Sequence, residues 1–464
     1  MEYALVTKIP VSASAVHVRV ALIAAACCSI VASHESLAAE HVIHISVDGL
    51  RPSYLQALVD GGVAPNFKRF QDEGAWTNNG RTDFTHTTTL PNHTSMLTGR
   101  PVSQPAGMPN DVHHGYTSNG DPGPGETLHN SGNLNAGYIA STFDVVHDAG
   151  LSTALFASKS KFSLFDVSYD ADSGSEHPNG RDKIDDFFAA QDDTLPYSAT
   201  MQERLLAELA ERHFNYAFVH YSDPDVAGHD SGWGSLPWIQ ALLAVDQYLG
   251  EVFALVDSDA TLSGRTAILL TADHGGSVAG HSTATAPENF TIPVYAWGAG
   301  IAPGDFYDFN VETRADPLAS RPDYGAAAQP IRNGDTGNLA LALLGLPAVP
   351  GALINRFQDL HVALPGDYNR DGVIDAADYT IWRNSNGAAG IGLAADGNAD
   401  RSVDIDDFEL WKNRFYVGRA GTAASAPHVP EPVMTCLVGS ACAAANVIRR
   451  KRRQVANCRS LPTG

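Results

Sequence analysis

Five short apolar runs constrain this chain most: Val42 to Val47, Ala154 to Ala157, Tyr216 to His220, Ala267 to Thr271 and Ile292 to Trp297. Each is only four to six residues long, apolar and bounded by turn residues, the pattern of a strand buried on both faces. Between them, Met201 to His213 and Trp238 to Leu255 read as amphipathic helices. Buried strands alternating with helices predict an α/β fold, a mostly parallel central sheet with helices on both faces. Open sheets of this kind hold their ligands beyond the carboxyl ends of the strands. Two runs end there in side chains able to bind metal, Asp48 after Val47, and Asp273 with His274 after Ala272.

Composition narrows the partners. A chain of 464 residues with 44% hydrophobic content buries a large core and suggests two or three domains. Its net charge of −22 argues against a nucleic-acid partner. An anionic substrate stays open, because bound divalent cations dominate the local field. The five cysteines, Cys27, Cys28, Cys436, Cys442 and Cys458, lie only near the ends. The body therefore has neither a disulfide nor a thiolate metal site.

Both ends read as addresses. Residues 1–39 look like an export signal: Lys8 and Arg19 precede VALIAAACCSIVA, and small residues end at Ala39. At the other end a small-residue linker, 417–428, leads to Pro-Glu-Pro, an apolar run from Val433 to Ile448 and the basic cluster Arg449 to Arg453. Residues 429–453 resemble the PEP-CTERM sorting signal of exporting Gram-negative bacteria, with a plain membrane anchor as the alternative. The expected location is the cell envelope or the outside of such a bacterium.

A repeat occupies 365–416. Asp367, Asn369, Asp371, Gly372, Asp375 and Asp378 stand at positions one, three, five, six, nine and twelve of an EF-hand-type calcium loop. Asp396, Asn398, Asp400, Asp404 and Asp407 repeat the register, with Arg401 where the loop wants glycine. DYTIWRNSNG and DFELWKNRF follow the two loops, which makes Trp382 and Trp411 equivalent. With aspartate at position twelve and one helix per loop, the pair resembles a dockerin repeat. Calcium would then supply folding energy to a small unit. A cohesin-like or envelope partner, or a purely stabilising module, are both open.

The region from 40 to 360 carries the chemistry. Asp48 leaves its strand into a glycine turn, a place where a lone aspartate also serves as a helix cap. Thr89, in THTTTLPNHTSMLTGR, stands at the start of a run with helical spacing, where a hydroxyl could meet an anion or cap the helix. Asp225 and His229, four apart in HYSDPDVAGHDSGWG, fall on one side of a helical turn and could share a metal. Asp273, His274 and His281 add three donors within nine residues. Lys159 and Lys161, in the loop after a predicted strand, read as solvated surface groups, with contact to substrate as the alternative. The aperiodic stretch from Pro105 to Gly137 reads as a long loop over the site.

In this order, over roughly Glu40 to Pro303, these segments resemble the alkaline phosphatase superfamily, and most closely its type I phosphodiesterase and nucleotide pyrophosphatase branch. The resemblance implies Thr89 of TLPN as nucleophile. It assigns Asp48, Asp273 and His274 to the metal that activates Thr89, and Asp225, His229 and His281 to the metal that activates water. It also implies a substrate-side asparagine, Asn119, in an HGxxxN motif with His114 and Gly115. The donor set suits two zinc ions, with manganese also accepted. The span from His274 to His281 is too short to build the nucleotide pocket of animal members.

The leading reading is an exported hydrolase of phosphodiesters or pyrophosphates, acting on a small phosphate ester. A phosphomonoesterase, phosphonate hydrolase or sulfatase is the alternative within the superfamily. The sulfatase is disfavoured because the Cys/Ser-x-Pro-x-Arg sequence is missing. A non-catalytic calcium-binding surface protein is the alternative of another class.

Overall fold

The apolar runs become neighbours in one sheet. A computed structural model describes residues 39–420 apart from 279, 391, 392 and 399, without the side chains of 416–420. Its strands are β1 (His41–Val47), β2 (Ala75–Arg81), β3 (Thr153–Ala157), β4 (Asp186–Ala189), β5 (Tyr216–Tyr221), β6 (Thr266–Thr271), β7 (Thr291–Gly298) and β8 (Gly304–Asp305). They form an eight-stranded sheet in the order β4-β3-β5-β1-β6-β7-β2-β8. From β4 to β6 every pairing is parallel, whereas β7 runs antiparallel to both β6 and β2. The sheet is thus mixed but mostly parallel, with helices around it. Three strands join the five read from sequence. β2 carries Asn78, Asn79 and Gly80 in place of an apolar run, and the four residues of β4 are only half-buried.

The helices used below are α1 (Pro52–Asp60), α2 (Pro65–Glu73), α3 (Thr89–Thr98), α4 (Thr142–Asp148), α5 (Ala199–Arg212), α6 (Asp223–Ser231), α7 (Leu236–Ser258), α8 (Asp335–Leu343), α9 (Ala376–Ser385) and α10 (Ile405–Ala420). Strand periodicity divides the core into two layers. Ile43, Ile45 and Val47 of β1 pack with α1, α2, α5 and α7. Val42 packs on the opposite face with α3, α4 and α8. Each fully buried Val, Leu, Ile or Phe in these layers contributes about 1.5–3 kcal/mol of transfer free energy. The polar members of β1 are satisfied individually: His44 bonds Thr336 Oγ1 (2.8 Å) and the Tyr216 hydroxyl (3.1 Å), and Ser46 bonds His93.

The C-terminal repeat builds its own small core around Tyr368, Trp382, Ala395 and Val403. Its two copies mirror each other. The Trp382 indole donates to Asp404 O and the Trp411 indole to Asp375 O, both at 2.7 Å. Asp367 accepts from the amides of Asp371 and Gly372, and Asp396 from those of Asp400 and Arg401. Gly372 has φ +83° and Arg401 φ +71°, so the second loop holds an arginine in a region that favours glycine. The described residues from Ala39 to Phe415 belong to one compact unit, within which the Arg370 guanidinium donates to Gly300 O. Of the second unit only the helical backbone of 416–420 is described. The export signal apart from Ala39, all but the start of the linker, and the sorting tail lie outside the described residues.

Candidate active site

Parallel pairing sets the site. Because β3, β5, β1 and β6 run the same way side by side, the segments after them share one edge of the sheet. Asp48 follows β1, Lys159 follows β3, α6 with Asp225 and His229 follows β5, and Asp273 and His274 follow β6. Neither Asp48 nor Thr89 serves as a helix cap. The N-cap of α1 is Arg51, and that of α3 is Thr88, with Thr89 in the first helical position.

The six aspartate and histidine donors fall into two groups of three, Asp48 with Asp273 and His274, and Asp225 with His229 and His281. In the second group His229 Nε2 lies 3.0 Å from His281 Nε2, and Asp225 Oδ1 lies 3.4 and 3.6 Å from those two atoms. In the first, His274 Nε2 lies 3.2 Å from Asp48 Oδ1 and 3.1 Å from Asp273 Oδ2. Tetrahedral ligands at the usual zinc distances stand about 3.3 Å apart. Asp48 Oδ1, Asp225 Oδ1, Asp273 Oδ2 and His274 Nε2 are buried without hydrogen-bond partners. Buried polar atoms rarely go unpaired, and two of these four, His274 Nε2 and Asp225 Oδ1, meet across the groups at 3.9 Å.

Five of the six donor side chains, all but His229, are held from behind. The Asp48 Oδ2 atom meets His220 Nε2 at 3.1 Å, and Asp273 Oδ1 accepts from the amides of Gly49 (3.2 Å) and His274 (2.8 Å). His274 Nδ1 donates to Gly275 O at 2.8 Å and His281 Nδ1 to Thr87 O at 2.6 Å, which leaves both Nε2 lone pairs aimed inward. Burial and the neighbouring His281 lower His274 to about 3, so its imidazole is neutral and able to ligate. Burial and the facing Asp48 and Asp225 carboxylates push Asp273 well above the usual range. Burial also opposes charge on Asp48, yet Lys159 and His220 hold it well below that range. With all three carboxyl groups ionised beside one ammonium, the site would carry an excess negative charge that divalent cations would offset. The donors therefore fit two metal ions.

Lys159 corrects the sequence expectation of a solvated side chain. Its Nζ lies 2.7 Å from Asp48 Oδ2 and 2.6 Å from Asp225 Oδ2, tying one carboxylate of each group. The reason is topological: β3 pairs with β5, so the loop after β3 crosses the site edge. Lys161 is half-buried beside it.

Thr89 is buried and its surroundings are tied on both sides. Two residues earlier, the Thr87 hydroxyl donates to His281 O at 2.5 Å. On the other side the Leu90 amide donates to Asn119 Oδ1 at 2.9 Å. The loop bearing Asn119 has two short helical turns, Leu128–Ser131 and Leu134–Ala136, and is pinned to the site edge by Asp121, which accepts from Ser160 Oγ at 3.0 Å.

A family model described as type I phosphodiesterase / nucleotide pyrophosphatase matches residues 42–285, more than half of the 464-residue chain. The chain belongs to that family. The description of that family names phosphodiesterase and nucleotide pyrophosphatase. Among curated relatives, the GPI ethanolamine phosphate transferase 1 of Emericella nidulans is 34% identical over 122 residues, 26% of this chain and 12% of the relative. That of Neurospora crassa is 32% identical over 139 residues, 30% of this chain and 13% of the relative. The matches thus span about an eighth of those proteins' length. Among solved structures, an alkaline phosphatase shares 12% identity with a TM-score of 0.48, covering 70% of this chain and 99% of that one. Murine ectonucleotide pyrophosphatase / phosphodiesterase 5 in complex with AMP shares 17% with a TM-score of 0.42, covering 67% and 96%.

Sequence reasoning missed three members of this phosphodiesterase-family site: His220, His93 and Trp233. His93 bridges Thr89 O (2.7 Å) and Ser46 Oγ (2.8 Å). His220 had a usable signal, a polar residue near the carboxyl end of a buried strand, as at Asp48. His93 and Trp233 had none, because their roles rest on contacts with residues distant in the chain.

Proposed function

We propose that this chain is an exported two-metal hydrolase that cleaves phosphodiester or pyrophosphate bonds through a phosphothreonine on Thr89. The observation that supports this reading is the pair of three-residue donor groups whose inward atoms stand 3.0–3.6 Å apart beside the buried Thr89. Two zinc or manganese ions, one in each group, would supply the Lewis acidity that activates a hydroxyl and a water and neutralises developing charge. Thr89 Oγ1 then forms a bond to phosphorus as the alcohol or phosphate leaves. Water breaks that bond and restores the hydroxyl. Asn119 donates its amide N–H to a non-bridging oxygen.

One observation favours a second reading, a phosphomonoesterase. The Lys159 ammonium beside Asp48 and Asp225 adds a positive charge to the site edge. A dianionic monoester gains more from that charge than a monoanionic diester does.

The C-terminal loops are proposed as calcium sites, supported by the twice-repeated register and mirrored backbone bonds. Export and envelope anchoring, with a cohesin-like or envelope partner for the repeat, rest on the sequence patterns alone.

Zinc-loaded full-length protein compared on bis-p-nitrophenyl phosphate, p-nitrophenyl phosphate and p-nitrophenyl sulfate tests the reading. The diester should turn over fastest, and a wide margin for the monoester would replace the first reading by the second. Thr89→Ala should abolish turnover while keeping about two metals per chain. Loss of both metals from that variant would show that Thr89 is misassigned.

A further inference from the structure

His229 is the donor least constrained by its own surroundings. Its side chain is 53% exposed, against 4% for Asp225 and 6% for His281. His274 and His281 each have Nδ1 bonded to a backbone carbonyl, whereas the described contacts of the His229 ring are with Asp225, His281 and Trp233.

Trp233 lies in the turn between α6 and α7 and is 3% exposed. Its indole meets the His229 ring edge-on, with centroids 5.4 Å apart at 75°, and the His281 ring at 6.0 Å and 63°. The indole N–H donates to Gly49 O at 2.9 Å. Gly49 follows Asp48, and its own amide holds Asp273 Oδ1. One side chain therefore touches two donors of one group and the turn that carries the other.

The surrounding chain is shaped to admit this indole. A Cβ on Gly276 would fall 2.0 Å from Trp233 Cε2, and a Cβ on Gly228 would fall 2.7 Å from the same ring. Neither glycine has the positive φ that would otherwise call for one. Both adjoin donors: Gly228 precedes His229, and Gly276 lies two residues after His274. What these glycines supply is room for the indole.

We infer that Trp233 is a positioning residue for the Asp225, His229 and His281 group, setting its two histidines against the turn that carries Asp48. The inference rests on the two-metal reading of the site. The indole acts as the outer support for the His229 ring, whose Nδ1 has no hydrogen bond among the described residues. Outer supports of metal ligands typically change affinity by about 10–100-fold.

The test is zinc and cobalt titration of the full chain against a competing chelator, with the cobalt absorption spectrum reporting each site. Wild type should bind two ions. Trp233→Leu should weaken one of them by about tenfold or more and leave the other within about threefold. Gly276→Ala, which displaces the indole, should reproduce that selective loss, and Trp233→Phe, which keeps a ring without the N–H, should fall between. Circular dichroism and melting temperature identify a variant that fails to fold, in which case Trp233→Phe carries the test. Wild-type affinity at both sites, or equal weakening at both, would overturn the inference. A wild-type protein that binds no ion would instead overturn the two-metal reading beneath it.

Discussion

Replacing Lys159 with methionine keeps most of the apolar stem and removes the ammonium from two buried carboxylates. The Nζ contacts are 2.7 Å to Asp48 and 2.6 Å to Asp225, and those carboxylate side chains are 0% and 4% exposed. At an effective dielectric near 20 each contact corresponds to about 6 kcal/mol of gross attraction. Most of that offsets the cost of taking three charged groups out of water, so the gross figure is not the stability change. Deleting one partner leaves the remaining charge uncompensated, which typically costs about 3–5 kcal/mol. For the unit ending at Phe415, at roughly 2.1 cal/mol/K per residue, the unfolding entropy is about 0.8 kcal/mol/K. The expected drop in melting temperature is therefore about 4–6 °C in chelator-treated protein. Scanning calorimetry on wild type and Lys159→Met in excess chelator measures it. Added zinc should narrow the gap, since an ion bound only by the folded state contributes about 2.7 kcal/mol at one hundred times its dissociation constant. If the two proteins melt together in chelator, the ammonium is solvated in solution and the charge argument for this site fails.

Two further outcomes follow from the structure. Burial lowers His44 to about 3, below its ordinary value of 6.5. Between those values the unfolded chain binds a proton that the folded chain refuses. This contribution to stability is complete above about pH 6.5 and is lost as pH falls, at up to about 1.4 kcal/mol per pH unit. Urea unfolding of His44→Asn at pH 7 and pH 5 should show a shallower pH dependence than wild type, and an identical dependence would refute the assignment. In the repeat, calcium should raise the melting temperature of the full chain. Asp378→Ala should remove more of that gain than Asp407→Ala, because Arg401 at φ +71° costs the second loop about 1–2 kcal/mol. No calcium effect, or the reverse order, would count against the loop reading.

The strands that the sequence revealed, β1, β3, β5, β6 and β7, are those buried on both faces, where nearly every position is apolar. β2 was hidden because Asn78 and Asn79 are held by hydrogen bonds, to Gln56 Oε1 and Leu318 O, rather than by an apolar layer, and β8 is only two residues long. Asp48, Asp273 and His274 were legible because each follows such a run directly. Asp225 and His229 were legible through helical spacing, realised in α6. The division of six donors into two groups came from resemblance, since nothing in the spacing alone pairs Asp48 with Asp273 or His229 with His281.

By itself, then, the sequence determined the kinds of donor and their places at strand ends, because side-chain chemistry and local periodicity are properties of neighbouring residues. Tertiary structure decided which donors face one another, that the half-buried Lys159 reaches between two carboxylates, and that Trp233 lies between two glycines beside His229. Those facts depend on the order β3-β5-β1-β6, which joins segments as far apart as Gly49 and Trp233. Burial and charge compensation are sums over everything nearby in space, and for this site most of what is nearby comes from distant parts of the chain.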